Sequence, residues 1–96
     1  VEDFDRRRKL VVDALASMGL PCPPPRGAFY AFPSVRATGL DDVEFAHRLL
    51  QEEKVAVIPG SAFGDRGRGH VRICYAAPRH HLEEALQRMA RFIAGL

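Results

Sequence analysis

No stretch of this sequence approaches the roughly 20 consecutive apolar residues that a membrane-crossing helix needs. The opening residues, VEDFDRRRKL, mix both charge signs and lack an apolar core followed by a small-residue cleavage site, so they do not read as a secretory signal. Charge of one sign is scarce too. Fourteen basic against twelve acidic residues leave a formal net charge of +2, and no aromatic-rich basic motif accompanies it, which argues against nucleic acid as a partner. Cysteine is limited to two residues. Cys22 falls in a proline-rich connection and Cys74 in an expected strand, without metal-ligand spacing, which is the pattern of reduced packing residues and not of a disulfide or a metal site. A reducing cytoplasm is therefore the expected compartment. No methionine precedes Val1 and helical sequence begins at once, so the chain is expected to be a segment of a longer one.

What is present fits one domain. The 96 residues are 47% hydrophobic and 27% charged, with no repeat and no low-complexity tract. Phe4, Leu10, Val11, Ala14, Leu15 and Met18 recur at mostly three- and four-residue steps, which gathers them on one helical stripe while Arg6, Arg7, Arg8 and Lys9 take the remaining surface. Gly19 is placed to end that helix. PCPPP, residues 21–25, lacks the backbone donors of helix or sheet and predicts an extended connection into a strand, GAFYAFP. Asp41 and Glu44 form a capping-box pattern that opens a second helix, running to about residue 53 with Val43, Ala46, Leu49 and Leu50 as its apolar stripe. VAVI then predicts a strand stopped by Pro59 and Gly60, and HVRICYA a further strand. Pro78 suits the first turn of a last helix, whose stripe is Leu82, Ala85, Leu86, Met89, Phe92 and Ile93 as far as Gly95.

The order is thus α-β-α-β-β-α. Too few residues separate the last two strands for a helical crossover, so they should pair antiparallel. The first two are joined through a helix and should run parallel, which puts the third between them and the helices over one face. The expectation is an α+β two-layer sandwich with a three-stranded sheet. Alternation along the third strand places Val71, Ile73 and Tyr75 on one face and Arg72, Cys74 and Ala76 on the other. Arg72 then looks away from the helices, among apolar neighbours, as at a contact with another domain or a ligand. From the residues alone, an ion pair with a carboxylate of the same domain is the stronger reading of such an arginine.

The flanking residues reverse that preference. PRGAFYAFP, then VAVIPGSAFGDRGRGHVRICYA, then LEEALQRMARFI resemble, in order and spacing, the C-terminal small domain of class I and II (fold type I) pyridoxal-phosphate-dependent aminotransferases. The resemblance covers residues 1–96 almost entirely but only the C-terminal part of the family's usual chain. It implies that Arg72 grips the α-carboxylate of an amino-acid substrate. It implies also that Pro59, Gly60, Ser61, Phe63 and Gly64 form a turn at the domain interface near the active site, and that Tyr30 lies close to the substrate entrance. Guanidinium suits that task, since it offers two parallel donors in carboxylate geometry and stays charged at any working pH. The cofactor-holding lysine, the partner of the pyridine nitrogen and the phosphate-binding groups lie, in the family, in the large domain. The lysines here, Lys9 on a basic helical face and Lys54 at a helix-strand junction, fit neither place nor motif, so no catalytic residue is expected in this segment. The family further implies amino-acid and 2-oxo-acid substrates, a large cofactor-binding domain in the same chain and a homodimer.

Other features carry less. The glycine-rich run lacks the GxxxxGK[ST] order and leads into a strand, which excludes a phosphate-binding P-loop. Gly67 and Gly69 read as positions of positive φ, and Arg66 and Arg68 as solvated. His80 and His81 point about 100° apart on a helix, and His47 and His70 lack partners at ligand spacing, so no metal is expected. From the residues alone Tyr30 and Phe32 should pack in the sheet, and RRRK should be a solvated helix face. The family often has a serine or similar polar residue near the start of the last helix; here Ala77 precedes Pro78, which costs a cap and leaves Arg72 untouched. A second functional class shares Arg72: a standalone module that binds a small carboxylate ligand or a protein through its open sheet face.

Overall fold

Helices carry most of the regular structure, and three very short strands decide where the candidate site faces. The computed structural model describes residues 2–20, 22, 30–76 and 78–96, with the side chains of residues 2–5 outside that description. Helix α1 spans Glu2–Ser17, β1 Tyr30–Ala31, α2 Asp42–Glu53, β2 Ile58–Pro59, β3 Val71–Cys74 and α3 Arg79–Ala94. The order α-β-α-β-β-α is the expected one. The proline-rich connection, apart from Cys22, and the start of the first expected strand at residues 27–29 lie outside the described residues, as do Ala77 and the Phe4 side chain.

The sheet order is β1-β3-β2, with β3 antiparallel to both neighbours. Tyr30 faces Cys74 and Ala31 faces Ile73 on one side; Ile58 faces Arg72 and Pro59 faces Val71 on the other. Among the described residues the paired segments are shorter than the sequence led us to expect, and at the end of β1 proline supplies the reason. The register of β1 continues past its end, because Val71 N–H donates to Pro33 O at 3.1 Å, Ser34 bridges to His70, and Val35 N–H donates to Gly69 O at 2.7 Å. Pro33 has no N–H to return the bond, so the ladder is broken there although the chain stays aligned. Along VAVI only Ile58 enters a ladder, yet Val55 and Val57 still pack against the core while Ala56 and Ile58 are exposed.

Val11 and Leu15 of α1, Phe45 and Leu49 of α2, Val71, Ile73 and Tyr75 of the third strand's inner face, and Leu82, Leu86, Met89 and Phe92 of α3 form one buried cluster. Phe45 meets Phe92 edge-on, with ring centroids 5.5 Å apart. Among the described side chains the first and last helices turn the stripes expected of them toward the core, with Leu10, Ala14, Met18 and Ile93 partly buried. The second does not: Val43 and Leu50 are 55% and 49% exposed, and the buried face is Asp42, Phe45, Ala46 and Leu49. Its start follows the sequence, with Asp41 Oδ1 accepting from Glu44 N–H at 2.7 Å. At its far end Glu53 is clamped by the forked guanidinium of Arg91, while Arg88 donates to the Glu53 carbonyl, so charged groups fasten α2 to α3. Pro78 sits one place before the first turn of α3, as its N-cap, and Gly19, at φ 80°, follows the end of α1.

Candidate carboxylate-binding face

Alternation along β3 sends Val71 and Ile73 into the core and leaves Arg72, partly exposed, on the opposite face. The guanidinium carbon lies 4.3 Å from the Tyr30 ring centroid and 4.5 Å from that of Phe63. Both contacts are well within the range of cation–π attraction, which holds a planar cation in place without neutralising it. Among the described residues no carboxylate pairs with Arg72, so the ion pair favoured by the residues alone is not formed. Tyr30, Ile58 and Phe63 are 42%, 41% and 51% exposed, an unusual cost for three large apolar groups around one cation in so small a domain. Phe32 extends the aromatic surface, edge-on to Phe63 at 6.3 Å and stacked on His70 at 5.4 Å. Cys74, an exposed free thiol, continues the same face of β3 and stands opposite Tyr30 in the register.

Phe63 reaches Arg72 because the connection from β2 to β3 is folded back on itself. A short 3-10 turn spans Gly60–Phe63 and another Asp65–Gly67, with Gly64 between them at φ 118°. Gly69 also lies at positive φ, 78°, as expected, but Gly67 does not. Gly67 is required for a different reason: a Cβ there would lie 1.9 Å from Gly60 O, and one on Gly60 would lie 2.1 Å from Gly67 O. Two backbones therefore cross where neither can carry a side chain. Pro59, Gly60, Ser61, Phe63 and Gly64 form one turn, and of these Phe63 is the residue in contact with Arg72. Arg66 and Arg68 are exposed, Arg68 making only a 3.6 Å ion pair with an almost fully exposed Asp65.

Sequence reasoning missed the residue that fastens this turn. Asp42, 4% exposed, accepts from Ser61 N–H through Oδ2 at 2.8 Å and from Gly69 N–H through Oδ1 at 3.3 Å. Burial alone would raise its pKa, but the donors of Ser61 and Gly69 outweigh it and hold the carboxyl below the ordinary range. The signal was the doublet Asp41-Asp42, since a helix start needs one capping aspartate and leaves the second without a task. Arg36 closes the outer side of the loop, donating from Nη2 to Arg68 O at 3.0 Å.

The remaining polar candidates do not join the face. Lys9 lines a groove with Arg6, Asp13 and Arg79, and Lys54 another with His81, Glu84 and Arg88. The rings of His80 and His81 meet edge-on with centroids 4.2 Å apart, and His47 is exposed on α2. Among the described residues no three histidine, cysteine or acidic side chains converge as a metal site. Burial pushes the half-buried Cys22 thiol up, against the opposing effect of a Phe32 backbone hydrogen bond, so it stays protonated and packs.

A family model described as aminotransferase class I and II matches residues 1–89. The chain is 53% identical over 92 residues to an aspartate aminotransferase of Pyrococcus abyssi, covering 96% of this chain and 24% of that protein. It superposes on the crystal structure of an aromatic aminotransferase from Pyrococcus horikoshii with a TM-score of 0.95 at 52% identity, over 98% of this chain and 25% of that one. A Clostridium difficile protein whose crystal structure holds pyridoxal phosphate matches at a TM-score of 0.88 and 33% identity, over 96% of this chain and 24% of its own. The chain therefore spans about a quarter of the length of these relatives.

Proposed function

The chain belongs to the class I and II aminotransferases, and from that premise we propose that it is the substrate-carboxylate-binding small domain of an amino-acid transaminase. Arg72 carries the reading. It is a cation on the sheet face opposite the core, held by two rings, with no carboxylate from the described residues competing for its donors. An amino acid and the matching 2-oxo acid share one feature throughout transamination, the carboxylate, and a forked guanidinium binds it in both. The exposed rings around Arg72 suit a surface that another domain covers, which supports a large domain elsewhere in the complete chain. A homodimer in the cytoplasm completes the proposal, on the strength of the family resemblance and the sequence features.

Pyridoxal phosphate would supply the electron sink for moving the amino group. The residues of this chain do not fit the task of holding it, since neither lysine joins the Arg72 face. That task falls to the large domain. What this chain contributes is recognition: it orients the substrate by one end, and its rings exclude water around the ion pair. Relatives that act on aspartate and on aromatic amino acids both match, so the side-chain preference is set outside the Arg72 contact.

In the complete enzyme, Arg72→Ala removes a bidentate charged contact of about 3 kcal/mol or more, which corresponds to roughly a hundredfold loss of kcat/KM for amino acids. Retention of the cofactor, followed by its absorbance, should be unchanged. Equal loss of both, or full activity in the variant, would overturn the assignment.

A further inference from the structure

Asp42 is the most deeply buried charged residue of the described chain. Its two oxygens hold amides at opposite ends of one loop: Ser61 N–H just after β2 and Gly69 N–H just before β3. One carboxylate thus draws the neck of the loop together and fastens it to the first turn of α2. What the loop carries is Phe63, whose ring lies 4.5 Å from the Arg72 guanidinium. Phe63 is 51% exposed and meets Phe32 only edge-on at 6.3 Å, so the loop backbone has a large share in setting its position. We propose that Asp42 is a positioning residue for substrate recognition: by tying the Ser61 and Gly69 amides it sets Phe63 against Arg72 and so aims the guanidinium at the substrate carboxylate. The proposal rests on the reading of Arg72 as the carboxylate ligand.

The geometry asks for a carboxylate in particular. Two backbone donors approach from two segments, so the clamp needs two acceptor atoms a fixed distance apart on a short stem. Asparagine has the same shape but presents one oxygen and one NH2 group, which would face an N–H with another donor. Alanine leaves both amides buried and unpaired. The donors' pull on the carboxyl, which keeps it ionised despite burial, is in line with a clamp formed at working pH.

The distinguishing measurement compares an amino acid with the amine that bears the same side chain and no α-carboxylate, in single-turnover amino transfer to the complete, cofactor-loaded enzyme. The preference for the amino acid reads the Arg72 contact; the rate with the amine reads everything else. Asp42→Asn is expected to lower the second-order rate constant for the amino acid about tenfold, mostly through weaker substrate binding, as one weakened charged hydrogen bond would, and to leave the amine within twofold. Equal loss on both substrates would mean that Asp42 only supports the fold and would overturn the proposal, as would no loss on either. Should Asp42→Asn fail to fold, Phe63→Leu decides, because it leaves the clamp in place and changes an exposed side chain. It should erode the same preference several-fold, and an unchanged preference would overturn the proposal. Arg72→Ala separates the two levels: an intact preference in that variant defeats the parent reading, whereas loss there with none in Asp42→Asn and Phe63→Leu defeats this inference alone.

Discussion

Gly67→Ala turns the backbone crossing in the β2–β3 loop into a question of sign. Gly67 does not adopt the left-handed conformation, so alanine is not excluded by φ. With open space around it, the exchange would stabilise the chain by about 0.4–1 kcal/mol through the reduced freedom of the unfolded state. The added methyl, however, would stand 1.9 Å from Gly60 O and 2.4 Å from the Gly60 carbonyl carbon, and such contacts essentially never fall below 3.0 Å. Both neighbours are backbone, so nothing flexible can give way, and the two segments must separate by at least about 1 Å. Three hydrogen bonds tie the two segments together: Gly60 N–H to His70 O at 2.7 Å, and Ser61 N–H and Gly69 N–H to the shared Asp42 carboxylate at 2.8 and 3.3 Å. At about 1 kcal/mol each their loss amounts to about 3 kcal/mol, a large part of the roughly 5–14 kcal/mol available to a chain of this size. Urea unfolding of the 96-residue chain should show the midpoint falling by about 1–3 M. Arg66→Ala, exposed on the same turn, should leave it in place. A Gly67→Ala midpoint at or above that of the parent would show that the two segments do not cross.

Two further outcomes follow from the helices and their carboxylates. Phe45→Ala empties a fully buried site and should cost about 3–5 kcal/mol, whereas Leu50→Gln, on the exposed side of the same helix, should stay within about 0.5 kcal/mol; comparable effects in a denaturant titration would mean that α2 is rotated away from the phase that buries Phe45 and Leu49. Asp42 and Glu53 are both held below their ordinary values of 3.8 and 4.5, Asp42 by Ser61 and Gly69 donors against its burial and Glu53 chiefly by its hydrogen bonds from Arg91. The unfolded chain therefore takes up these protons first, so their stabilising effect is complete above about pH 5 and is lost as the pH falls through the lower folded values. Thermal melts between pH 7 and pH 3 should be level at first and then decline, with a shallower decline in Asp42→Asn; stability that rises on acidification would contradict both assignments.

Topology was legible because it depends on few choices: two helix stripes in the right phase, a connection too short for a crossover, and the alternation that separates Arg72 from Val71 and Ile73. The middle helix was misread for a chemical reason. Its inward face begins with Asp42, and a search for apolar spacing discards an aspartate, so the stripe slid onto Val43 and Leu50. What buries Asp42 is a pair of amides 19 and 27 residues further along, a relation no local pattern contains. Strand lengths were overread for a related cause, since Val55 and Val57 alternate as a strand does while their backbones stay outside any ladder. At the candidate site the residues were named from family resemblance, but not their arrangement. That Arg72 is held by Tyr30 and Phe63 depends on a loop whose shape is set by Gly60 against Gly67, and two glycines in a sequence look alike whether they supply a turn or vacate a crossing.

Residues 60–70 contain no helix longer than a single tight turn and only the bridge at His70. Even so, the amides of Gly60, Ser61, Gly64, Gly67, Arg68, Gly69 and His70 each have an acceptor. In deuterated solvent this stretch should keep its protons alongside neighbours of regular structure, as a cooperative unit and not as a fraying connection. A protease that searches for slack backbone would pass it by, although its sequence, rich in glycine and charge, is what such an enzyme ordinarily finds.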